Sequence, residues 1–75
     1  MASETRRDEL VAEYKQYSPI ELANLAKLLE SDIENYDESI AEATTKEWKA
    51  YWQGMKRDAQ LELSVCQEFL VQVAG

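Results

Sequence analysis

Four glutamates, Glu30, Glu34, Glu38 and Glu42, recur at every fourth residue, within six acids between Lys27 and Lys46 that no base interrupts. On a helix that spacing sets the four carboxylates in one column, where each like-charge neighbour costs roughly 0.2–0.5 kcal/mol. Folding gains nothing from such a column. Two roles remain for it. It is either a solvated face that keeps a small protein soluble or, with Asp37 beside it, a ridge that docks on a basic surface and speeds association by steering.

Carboxylates also hold metals and move protons. A calcium loop needs a D-x-D-x-D-G pattern, and a di-iron bundle needs Glu-x-x-His. The sequence has neither, and no histidine at all. Proton transfer needs a cleft that drives two carboxyl pKa values apart, which an open ridge does not supply. Without histidine there is no Ser-His or Cys-His nucleophile, and no glycine-rich phosphate loop is present. The single cysteine, Cys66, falls on an apolar stripe, as a buried structural thiol does. No cofactor and no metal are expected, and the chain reads as a binding protein, not an enzyme.

Two further groups have the right chemistry for contact. Lys46, Lys49, Lys56 and Arg57 form a basic stretch with Glu47 as its only acid. Pairing with Glu30, Asp32 and Asp37 across a helical hairpin is its expected role. The net charge of −7 disfavours direct nucleic-acid or anionic-membrane contact. Trp48, Tyr51 and Trp52 cluster within one helical turn. That spacing suits a core beside a turn, with Tyr51 to one side as the possible aromatic contact.

The elements that position these residues follow from periodicity and caps. Ser18-Pro19-Ile20-Glu21 is a capping box with proline at the first helical position. It ends one helix and begins another. Leu22, Ala26, Leu29, Ile33, Tyr36, Ile40 and Ala43 then make an apolar stripe of alternating four- and three-residue steps. The phase slips at Thr44-Thr45-Lys46-Glu47, a T-x-x-E box, and a second stripe runs from Trp48 through Trp52, Met55, Ala59, Leu63, Cys66 and Leu70 to Val73. A turn at the slip makes an antiparallel hairpin that matches Ile40 with Trp48, Tyr36 with Trp52, Ile33 with Met55, Leu29 with Ala59 and Leu22 with Cys66. The alternative is one unbroken helix with a stutter.

The expected fold is all-α, a single helical domain over residues 1–75. A short N-terminal helix (about 4–16, capped by Ser3 or Thr5) precedes a long antiparallel hairpin (about 19–43 and 46–73). Leu10, Val11, Tyr14 and Tyr17 give the first helix its apolar face, which would fold back near Leu22, Phe69 and Val73. Apolar residues cover an unusually wide arc of the last helix, and one neighbour cannot bury all of it. Either the first helix covers the far side, or Leu61, Val65 and Phe69 face a second copy in a dimeric helical bundle.

With a lone thiol, no apolar membrane-length run and no apolar leader after Met1, a cytoplasmic setting is expected. Two functions follow. One is a regulatory binder or inhibitor that presents Glu30, Glu34, Asp37, Glu38 and Glu42 to a basic, possibly nucleic-acid-binding, protein. The other is a structural or assembly subunit that self-associates through its apolar last helix, where the C-terminal half and the Trp48–Trp52 cluster make the contacts and the acids only solubilise.

Overall fold

In a computed structural model that describes the backbone of residues 2–74 and the side chains of residues 5–72, the chain folds as three helices with no strand among the described residues. They are α1 (Ala2–Tyr14), α2 (Pro19–Glu42) and α3 (Lys46–Ala74). The all-α fold and the antiparallel hairpin are as the periodicity predicts. The unbroken-helix alternative is overturned, because the chain leaves helical geometry from Ala43 to Thr45.

Each break has a local cause. Ser18 is extended (φ −72°, ψ 161°), and its hydroxyl oxygen accepts the Glu21 amide at 3.2 Å. The same hydroxyl donates to the Glu21 carboxylate at 3.1 Å, so box and proline together fix the start of α2. At the hairpin turn the cap stands one residue later than the T-x-x-E pattern implies. Thr45, not Thr44, accepts the Trp48 amide at 3.2 Å. α1 begins at Ala2, ahead of Ser3 and Thr5, so neither is its cap.

The hairpin register holds where it can be read. The Cys66 thiol donates to the Leu22 carbonyl at 3.0 Å, Tyr36 lies against Trp52 with ring centroids 5.8 Å apart, and Leu29 and Ala59 are both buried. Burial pushes the Cys66 pKa up, against a smaller pull downward from the Ala26 backbone amide.

α1 lies over the C-terminal half of α3. Leu10 and Tyr14 form one buried cluster with Leu22, Val65 and Cys66, and Val11, Tyr17, Leu25, Leu61, Phe69 and Leu70 pack around it. Full burial of a side chain such as Leu10 or Val65 is worth about 1.5–3 kcal/mol. This corrects one expectation. Val65 is 0% exposed within its own chain, and Leu61 and Phe69 are half-buried against the same cluster. The arc expected to face a second copy faces α1, because the Ser18–Pro19 corner turns α1 back along α3. The side chain of Val73 lies outside the described residues.

Candidate functional site

The acidic column is where the sequence places it, on the outer side of α2, with Glu30, Glu34, Glu38 and Glu42 all exposed. No hydrogen bond or ion pair to any of the four occurs among the described residues. Asp37 departs from the set. It pairs with Lys56 of α3 at 2.5 Å across the hairpin, so it is committed within the chain and is not a free member of the ridge. An exposed pair of this kind contributes about 0–1 kcal/mol. Steps of four residues advance about 40° around a helix axis, so the column drifts as it rises. At its upper end Glu42 reaches the hairpin turn, where it lines a shallow hollow with Ser39, Ala43, Thr44, Trp48 and Trp52.

That end of the molecule is aromatic. Trp48 meets Tyr51 edge-on at 5.7 Å and stacks near Trp52 at 6.5 Å, while Tyr51 meets Trp52 edge-on at 5.0 Å. The cluster is not core, contrary to its spacing. Trp48 is 56% exposed, Tyr51 is 52% exposed, and Met55 is also open. Trp52 alone of the three is half-buried, against Tyr36 of α2, and Trp48 and Tyr51 lie on it from the outer side. Tyr51 is exposed as expected, yet Trp48 is more so, and Glu47 stands beside both.

The charge pairs of α1 were not legible in the sequence. Arg6 donates to Glu62 at 2.6 Å and through Nε to Asp58 at 3.2 Å, and Arg7 pairs with Glu68. Two adjacent arginines in an otherwise acidic chain were the available signal. Glu62 is half-buried here. Burial raises its pKa, the charge of Asp58 adds to the rise, and Arg6 opposes both. Tyr14 is held well above the ordinary phenol range by burial first and by the Glu62 charge second.

The basic side of the tip is separate. Lys56 and Arg57 lie with Asp37, Ile40, Gln53 and Gln60 on the opposite flank of the hairpin. No group of three or more metal-binding side chains occurs among the described residues, and no described helix is long and apolar enough to cross a membrane. No family model matches the chain, and no curated protein or solved structure matches it.

Proposed function

We propose that the chain is a protein-binding module whose acidic face, Glu30, Glu34, Glu38 and Glu42, docks on a basic surface of another protein and thereby regulates or occludes it. One observation carries the reading: four exposed glutamates in a self-repelling column that form no ion pair among the described residues. Five cations, Lys15, Lys27, Lys46, Lys49 and Arg57, are free of ion pairs among the described residues, and only Lys27, one turn before Glu30, stands near the column, without pairing to it. A surface that costs folding energy and stays unneutralised suits a partner that supplies the positive charge. Docking through these acids raises the association rate and falls off as salt shortens the Debye length.

The assembly reading placed its contacts on the apolar C-terminal half of α3 and on the Trp48–Trp52 cluster; α1 packs over Leu61, Val65 and Phe69, while Trp48 and Tyr51 stay exposed. The binding reading is tested by affinity capture with the wild-type chain and with Glu34→Lys/Glu38→Lys, both checked for helicity. The expected result is a basic protein held by the wild type, released by salt and absent from the variant. Equal capture of that protein by the charge-reversed chain would refute the proposal.

A further inference from the structure

The hairpin turn holds a small hollow with an unusual lining. Ser39, Glu42, Ala43, Thr44, Trp48 and Trp52 surround a volume of about 250 Å³. Pockets for drug-sized ligands run from about 300 to 1,000 Å³, so this one suits a group of a few heavy atoms. Local geometry makes it. α2 ends at Glu42, the chain runs extended through Ala43 (φ −63°, ψ 130°), and α3 starts at Lys46. Trp48 and Trp52, one turn apart on α3, stand near-parallel (23°) with ring centroids 6.5 Å apart and form one wall.

Three features of this hollow favour positive charge. The first is the C-terminal end of α2. The last carbonyls of a helix have no partner within it and carry a partial negative charge that a cation stabilises. α2 has no basic residue in its last turn, and the Ala43 amide reaches the Ile40 carbonyl at 3.3 Å. The second is Glu42, a full carboxylate, exposed and without an ion pair among the described residues. The third is the indole pair, because aromatic ring faces attract cations within about 6 Å.

No lysine or arginine lines the hollow to answer that charge. The positive end of α3 lies nearby, but the Thr45 hydroxyl accepts the Trp48 amide at 3.2 Å and Glu47 sits in the first turn to offset it. A metal ion is a poor fit. One carboxylate cannot complete its shell, and no group of three or more metal-binding side chains occurs among the described residues. An organic cation fits better. Its alkyl groups suit the indoles, and its charge meets Glu42 and the end of α2.

We propose that this hollow binds an alkylated ammonium group, with Glu42 as its counter-ion and Trp48 and Trp52 as its aromatic wall. The same chemistry is carried by a free small molecule of the choline type and by a methylated lysine side chain. The site uses Glu42 alone of the acidic column, so it goes beyond docking through Glu30, Glu34 and Glu38 and does not depend on it.

The probes are choline and its uncharged isostere 3,3-dimethylbutan-1-ol, compared at constant ionic strength. Binding is read by saturation-transfer NMR on the ligand methyl groups, which needs no reporter in the protein. The expected result is saturable choline binding, about tenfold or more tighter than that of the isostere. Glu42→Gln and Trp48→Leu change exposed side chains, and both are checked for helicity. Each should lower the preference for choline over the isostere. A short uncharged peptide with one trimethyl-lysine separates the sources. Binding tighter than choline places the cation on a polypeptide, and binding weaker than choline places it on a free small molecule. Equal affinities for choline and the isostere, or no saturable choline binding, would overturn the proposal. So would a preference for choline that survives undiminished in both variants.

Discussion

Replacing Leu10 with alanine tests how α1 is held against the hairpin. Leu10 is 1% exposed, and among the described residues it and Tyr14 are the α1 side chains in the buried cluster. A buried Leu→Ala change costs about 2–5 kcal/mol, and a site at the end of a small bundle can relax, which favours about 2–4 kcal/mol. A helix of 13 residues is marginal alone, so α1 melts once it undocks. The loss is therefore a local opening that exposes Val65 and Cys66. At 1.4 kcal/mol per factor of ten, the open population rises about 30- to 1,000-fold.

Cys66 reports it directly. Its thiol is 0% exposed, hydrogen-bonded to the Leu22 carbonyl and raised in pKa by burial, so both access and thiolate fraction hold its reactivity down. Labelling by an aromatic disulfide reagent in native buffer should accelerate by that factor in Leu10→Ala, with the tryptophan emission of the hairpin tip unchanged. Unchanged labelling in a folded Leu10→Ala chain would mean that α1 does not wall the Cys66 pocket, and the account of the core would be wrong.

Four other outcomes follow from the same geometry. Glu38→Gln removes two repulsive i,i+4 neighbours, so urea denaturation at low salt should show a gain of about 0.4–1 kcal/mol that vanishes at high salt, and a loss of stability would reveal a partner for Glu38 within the chain. Gly54→Ala meets open space and gains helix propensity of about 1 kcal/mol, measurable as a higher thermal midpoint, and a lower midpoint would show a contact there that the fold requires. Thr45→Ala should cost about 1 kcal/mol of thermal or urea stability through the lost cap on the Trp48 amide, whereas Thr44→Ala should cost little, and the reverse order would restore the T-x-x-E register.

The last outcome concerns pH. The native pKa of Glu62 is raised above 4.5, so the folded chain binds more protons than the unfolded one across that interval. Its contribution to stability is complete below the unfolded value and is lost as pH climbs through the native value. The stability difference between the wild type and Glu62→Gln should thus shift in favour of the wild type from pH 7 toward pH near 4.5, read as urea midpoints. A difference that stays constant or moves the other way over that range would contradict the assignment.

Periodicity and caps determined the hairpin, its register and the turn at the phase slip. The stripes from Leu22 to Ala43 and from Trp48 to Val73 can be buried together only if the chain reverses between them, and Ser18-Pro19 leaves no choice about where α2 starts. The acidic column was equally legible, since i,i+4 spacing fixes a face whatever packs behind it. What a stripe cannot state is whether anything arrives to cover it. Leu61, Val65 and Phe69 carry the same apolar signal as Trp48 and Met55, yet Val65 is buried and Trp48 lies open. The difference is the reach and direction of α1, set by a corner at Ser18 and by long-range pairs from Arg6 and Arg7 to Asp58, Glu62 and Glu68. Those contacts join residues more than fifty positions apart, and burial is decided by them, not by any local pattern.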